Sequence, residues 1–229
     1  HYGYRSALNK SMVNHLQGTA NDLVAYVKPA KGDLIIDIGS NDSTFLQAYP
    51  RDDFTLLGID PTGKKFRDHY PKYIQLIPEF FSGNAIQNVV GRQKAKVITS
   101  IAMFYDVEDP MSFMQHIYNV LDDNGVWFLE QSYMPTMLEN NSYDTVCHEH
   151  LEYYSLTQIQ WMAQRVGFKI LDVSFNDTNG GSFSIMVAKQ DSDYAANEQQ
   201  VQSILRKEKE KRLDELTPYE EFKQRIFQH

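Results

Sequence analysis

The sequence predicts an α/β protein, a Rossmann-like, mostly parallel sheet of seven strands that ends in an antiparallel hairpin. Three observations predict it. Short apolar runs alternate with helical patterns over about 130 residues, the signature of a doubly wound sheet. The first runs close on glycine, or on an acid and a proline, as buried parallel strands do when they enter turns. The last two runs, FKILDVSF and GSFSIMVAK, are joined by the turn sequence NDTNGG with no helix between them.

The elements follow in order. Residues 5–28 carry Leu8, Met12, Leu16, Leu23 and Val24 at mostly helical spacing and stop before Pro29. DLIIDIG is the first strand, and STFLQAY follows as helix with Ser43 and Thr44 as caps. FTLLGIDP is the second strand, residues 63–70 a helix, YIQLI the third strand and AKVITSIAM the fourth. PMSFMQHIYNVLDDNG opens with proline in a first helical turn and ends on glycine. VWFLEQSY is the fifth strand, residues 156–166 are helical, and the hairpin strands complete seven. Residues 191–229 form a charged helix with little apolar face before Leu213, which reads as a solvated or interdomain helix. A main domain is expected over 1–190, with 1–28 as an amino-terminal helical lid segment and 191–229 as a linker to a further domain. Both ends look cut, as in a domain excised from a longer protein.

Composition narrows the class. An apolar share of 42% supports a real core. No apolar run reaches the ~18 residues of a membrane helix, and no signal-peptide pattern is visible. The net charge of −8 argues against a nucleic-acid groove. The single cysteine, Cys147, excludes an internal disulfide framework and a cysteine-only zinc site, and it fits a reducing, cytoplasmic setting. Neither a membrane nor a nucleic acid is an expected partner, and no metal is expected.

The loop DIGSNDSTF carries the first functional signal. It leaves strand one at the carboxyl edge, where ligands of open α/β sheets bind. Gly39 can take positive φ, and Asn41 and Asp42 tolerate left-handed geometry. The phosphate-cradling patterns GxGxxG and GxxxxGK[ST] are absent, so a dinucleotide or nucleoside triphosphate is disfavoured. An acidic loop suits the cationic sulfonium of S-adenosylmethionine better than a pyrophosphate. Asp37, Gly39, Ser40, Asn41, Asp42 and Thr44 are the expected cradle, with Asp37 acting on the ammonium group. Asp60, about twenty residues on, is placed to accept from both ribose hydroxyls, with Pro61 beside it. Glu79 and Phe80 are placed to frame the adenine, and Ser100, Ile101 and Ala102 to lie beneath the methionine part.

Four segments carry a more specific resemblance: YGYRSALN at 2–9, DIGSNDSTFL at 37–46, SIAMFYDVEDP at 100–110 and CHEHLEYYSL at 147–156. NDTNGGSF at 176–183 adds to them. Together they resemble the C-methyltransferases of nucleotide-linked keto-deoxysugars. The resemblance implies a class I methyltransferase fold, S-adenosylmethionine as cofactor, a nucleotide-linked sugar as substrate, and flanking domains in the same polypeptide. Two positions depart from the family pattern. Its loop usually reads DIGSNDGT, whereas Ser43 stands here in place of the second glycine. The residue before HEH is often tyrosine, whereas Cys147 stands here, which removes a candidate phenol.

CHEHLEYY gathers two imidazoles, two carboxylates and two phenols within eight residues. Enolising a sugar carbon beside a ketone needs a general base, and histidine titrates near operating pH. By the resemblance His150 is that base, with Glu149 orienting an imidazole or acting itself, and His148 a weaker candidate. Tyr4 is expected to fold over the site and offer its hydroxyl to substrate. Asp106 or Tyr105 supplies a polar group after strand four, and Tyr153 lines the wall. HEH is not HExxH, whose spacing aligns two histidines on one helix face for zinc. O- or N-methylation of another small molecule is the alternative, as is a non-catalytic cofactor-binding module of a larger synthase.

Overall fold

The computed structural model describes residues 4–228, the side chain of Asn179 apart. His1, Tyr2, Gly3 and His229 lie outside the described residues, so the first two residues of the YGYRSALN segment and the extreme ends of the 1–28 and 191–229 segments do too. The strands are β1 (Leu34–Ile38), β2 (Thr55–Ile59), β3 (Ile74–Ile77), β4 (Ala95–Ile101), β5 (Leu121–Ser132), β6 (Phe168–Asn176) and β7 (Ser182–Lys189). The helices are α1 (Lys10–Val27), α2 (Gly63–Phe66), α3 (Gly83–Val90), α4 (Pro110–Val120), α5 (Met134–Asn140), α6 (Leu156–Val166), α7 (Glu198–Glu210) and α8 (Thr217–Phe227).

The strands form one seven-stranded sheet in the order β3-β2-β1-β4-β5-β7-β6. β1 pairs in parallel with β2 and with β4, and β2 with β3, while β6 and β7 are antiparallel. The expected α/β class, parallel body and terminal hairpin are all present. The order reverses beside β1, the switch point at which such sheets bind ligands.

The chain divides into two compact units. One runs to Ser100 and includes Gln115–Trp127; the other is made of Ile101–Met114 and the stretch from Phe128 onward. In the first unit the core is the aliphatic interior of the strands, with Leu34, Ile35, Ile36, Leu56, Leu57, Val97 and Ile98 all buried. α1 turns Leu16, Ala20, Leu23 and Val27 inward at helical spacing. In the second unit α6 and α7 pack on β6 and on each other, burying Ile159, Met162, Ala163, Val201 and Ile204.

Four local expectations change. The first helix begins at Lys10, because the Asn9 side chain accepts from the amides of Ser11 and Met12 and caps it. Leu8 lies before that cap and is exposed. STFLQAY is not a helix: only a 3-10 turn forms, at Leu46–Ala48, and Ser43 and Thr44 cap nothing. The helix of residues 110–125 stops at Val120, and β5 starts at Leu121. The charged tail is two helices, and the first is not merely solvated, since Val201, Ile204 and Glu208 of α7 are buried. α3 and α5 lie where the sequence pattern predicts no element; the Ser82 hydroxyl accepts from the Ala85 amide and caps α3.

Candidate active site

In the first unit the loop after β1 is shaped by three residues at positive φ: Gly39 (76°), Asn41 (47°) and Ser43 (64°). Such geometry costs a residue with a Cβ about 1–2 kcal/mol, so bonds from its surroundings hold it. The Asn41 amide donates to Asp60 Oδ2 at 2.8 Å. Asp60 Oδ1 accepts from the amide and hydroxyl of Thr62, both at 2.6 Å. Tyr70 Oη donates to the Asn41 carbonyl at 2.9 Å and lies 2.8 Å from Ser40 Oγ. Only glycine fits at position 58, because a Cβ there would stand 2.6 Å from Ser40 Oγ and 3.0 Å from Tyr70 Cε1. Ser43 Oγ donates to the His69 carbonyl at 3.1 Å and accepts from Gln47 Nε2 at 2.9 Å.

Three aspartates stand in this unit at or beside the loop, and each is buried. Asp42 holds the amino-terminal strap: Arg5 Nε and the Ala7 amide donate to Oδ2 at 3.3 and 3.2 Å. The hydroxyl of Thr44 donates to Asp42 Oδ1 at 2.6 Å. Asn41 Nδ2 also donates to the Tyr4 carbonyl, and the Ser6 amide donates to Asn41 Oδ1. Asp37 Oδ1 accepts from Thr99 Oγ1 at 2.6 Å. Burial pushes the Asp37 carboxyl up to about 7; the Thr99 bond opposes the rise and the charge of Asp60 adds to it. The Tyr49 hydroxyl is buried without a hydrogen-bond partner among the described residues, and burial and the charge of Asp37 hold its proton on.

The donor set fits S-adenosylmethionine. Carboxylate oxygens only accept, and they match the ammonium, sulfonium and ribose hydroxyls of that cofactor, not a phosphate. Asp37 would face its cationic part and Asp60, through its one remaining lone pair on Oδ2, the ribose. Of the other expected cofactor residues, Pro61 follows Asp60 in the turn, Glu79 is exposed and Phe80 is 81% exposed. Ser100 is fully buried, and its hydroxyl accepts from Trp127 Nε1 at 2.9 Å. Tyr4 is 45% exposed and is tied through its main chain to Asn41.

The second unit contains Ile101 and Ala102, the latter at φ 52° with its amide donating to the Glu130 carbonyl at 2.7 Å. It also brings together the substrate and base candidates. The Tyr105 and His150 rings lie 4.2 Å apart between centroids, and His150 and Tyr153 6.3 Å. The amides of Leu151 and Glu152 both donate to the Tyr105 carbonyl. His150 Nδ1 is 2.8 Å from the Thr145 carbonyl, which also accepts from Tyr153 Oη at 3.3 Å. A carbonyl cannot donate, so this contact places the ring proton on Nδ1 and leaves the lone pair of the neutral imidazole on Nε2. Burial pushes Asp106 up to about 6; the proximity of His150 pulls it back and Glu149 raises it further. His148, Glu149 and Cys147 are exposed.

Comparison with known proteins accords with this architecture. The model of a family described as a methyltransferase domain matches residues 12–173, more than half of the chain. The chain belongs to this methyltransferase family. A second model, described as a C-methyltransferase C-terminal domain, matches residues 177–229. C-methyltransferase NovU of Streptomyces niveus is 25% identical over 223 residues, covering 97% of this chain and 53% of that protein. The chain thus spans about half the length of the curated relative it matches. A chain of the Haloferax volcanii complex between the Trm112 methyltransferase activator and a methyltransferase is similar in fold, with 14% identity, coverage of 79% and 93%, and a TM-score of 0.60. So is Burkholderia thailandensis 1,6-didemethyltoxoflavin-N1-methyltransferase, solved with bound 1,6-didemethyltoxoflavin and S-adenosylhomocysteine, at 8% identity, coverage of 77% and 78%, and a TM-score of 0.57. The expected methyltransferase fold and enzyme class are borne out.

Several residues that shape this methyltransferase's sites were not legible. Thr99 lies mid-strand in an apolar run, Tyr70 in an unremarkable turn and Thr145 in a polar loop; none stands in a motif. Glu208 sits in a charge run that hid it entirely.

Proposed function

We propose that this methyltransferase domain, with S-adenosylmethionine as methyl donor, C-methylates a nucleotide-linked keto-deoxysugar by general-base enolisation. The observation that carries the proposal is the His150 ring, whose contact with Thr145 leaves a basic Nε2. The resemblance to a C-methyltransferase over 97% of the chain supports carbon as the acceptor atom. When bound, S-adenosylmethionine supplies an electrophilic methyl group for a carbanion on the acceptor. His150 Nε2 takes the proton from the carbon beside the ketone, and the Asp106 carboxylate stabilises the imidazolium that results. Thr145 and the Tyr105 face hold the ring during the transfer. Asp37, Asp60 and the loop between them bind the donor. Further domains in a longer polypeptide, contributing to the grip on the nucleotide, belong to the same proposal.

The exposed Cys147, where the resembled enzymes often have tyrosine, favours a competing reading in which oxygen or nitrogen is methylated. One experiment separates the two. The enzyme is incubated in heavy water with labelled donor and a panel of nucleotide-linked keto-sugars. Label on carbon, with deuterium entering the acceptor carbon in donor-free controls, is expected. Label on a heteroatom without deuterium exchange rejects enolisation.

A further inference from the structure

The stretch between β5 and α6 carries Thr145, His150 and Tyr153, and both of its stems end on one carboxylate. At the first stem Tyr133 Oη donates to Glu208 Oε1 at 2.7 Å. At the second, the Leu156 amide donates to Oε1 at 2.7 Å, and the amide and hydroxyl of Thr157 to Oε2 at 2.9 and 2.6 Å. Glu208 is 2% exposed on α7, the helix whose sequence reads as solvated. Leu156 and Thr157 open α6, so the carboxylate also meets the positive end of that helix. All four partners donate. An amide in place of the acid would turn an NH2 group against at least one of them.

The same carboxyl-terminal region grips the stretch again farther along. Lys211 pairs with Glu139, and Arg225 donates to Asn141 Oδ1 at 2.9 Å and to the Leu138 carbonyl at 2.8 Å. Leu213, Tyr219 and Phe222 pack against Met134, Met137 and Leu138. The Met134 amide donates to the Tyr154 carbonyl at 3.0 Å and joins the two stems directly.

We propose that Glu208 is a positioning residue for His150: by fixing both stems it holds the imidazole Nδ1 on the Thr145 carbonyl and so presents Nε2 as the base. This rests on the reading of His150 as the base, but its geometric part is tested without turnover. The probe is the 15N spectrum of the His150 ring, assigned by its loss in His150→Gln. Glu208→Gln is compared with Val201→Ala, a truncation in the core of the same helix, well below the melting temperature of each. In Glu208→Gln the ring is expected to leave the single Nδ1–H tautomer for a mixture. kcat should fall on the order of 10²-fold, as expected when a reacting group is misplaced by about 1 Å, with cofactor Kd unchanged. Val201→Ala should leave tautomer and kcat as they are. If Glu208→Gln does not fold, Tyr133→Phe removes one of the four bonds and should shift the tautomer in the same direction by less. An unchanged tautomer in whichever of the two folds, or the same shift in Val201→Ala, overturns the proposal. Loss of the tautomer shows the Glu208 role even if His150→Ala retains turnover, an outcome that rejects only the base.

Discussion

The loop after β1 and the stretch that carries His150 hold their shapes in different ways. The first is short and buried; its backbone puts Gly39, Asn41 and Ser43 at positive φ, and Asp60, Tyr70 and His69, from another stretch of the same unit, bond Asn41 and Ser43 in place. The second is mostly exposed over residues 143–152 and contains only a short 3-10 turn between α5 and α6. Its order comes from outside, through Glu208 at the stems and α8 along α5. Left-handed backbone fixes the first locally and bonds offset its cost, whereas the second, with little regular structure of its own, depends on a carboxylate 52 residues from Leu156.

The largest effect that would sharpen this contrast is at His150. His150→Ala should lower kcat by ~10²–10⁴-fold, the usual contribution of a general base, and leave cofactor affinity unchanged in titration calorimetry. A loss of cofactor binding of the same size would erase the division of labour between the two regions.

A smaller effect separates the acids of the first loop. Asp37 has its pKa raised to about 7, so folding favours its neutral form. That contribution to stability is full below about pH 4, the value of a free aspartate, and is lost as pH rises through 7. A cationic cofactor prefers the carboxylate, so its affinity should rise by up to about tenfold per pH unit until Asp37 is ionised. Calorimetry across this range checks it. Asp37→Asn should bind more weakly and with a flat profile, whereas a slope preserved in that variant assigns the titration to another group.

The smallest effect concerns Ser43. Glycine there relieves the cost of φ 64° but forfeits the bonds to His69 and Gln47, about 1 kcal/mol on each side. Ser43→Gly should therefore change stability by no more than about 1 kcal/mol in denaturant unfolding. A loss well beyond that would show that the loop depends on the serine hydroxyl more than on its backbone conformation.

The place of Ser43 also explains the family pattern in physical terms. The resembled enzymes tend to have glycine where this chain adopts left-handed geometry, and here a hydroxyl bond stands against the strain. The alternation of apolar runs was enough to find all seven strands and the terminal hairpin, because burial, on both faces in β1 and on at least one in the others, leaves a strong pattern. The turn after β1 misled for the opposite reason. Ser43 and Thr44 are good helix caps in isolation, yet Asp42 takes the Thr44 hydroxyl and His69 accepts from Ser43. Those partners lie in a different part of the chain in one case and out of helical register in the other.

What the sequence determined by itself was the seven strands, the acidic character of the loop and the identity of the HEH segment, because apolar runs and local residue types are read along the chain. Tertiary structure alone decided which proton His150 carries and what anchors its stretch. Thr145 and Glu208 carry no mark of their roles: one acts by a carbonyl that every residue possesses, the other by a carboxylate lost among the charges of its helix. Backbone acceptors leave no mark in a sequence, and a buried acid is told from a solvated one only by what has folded over it.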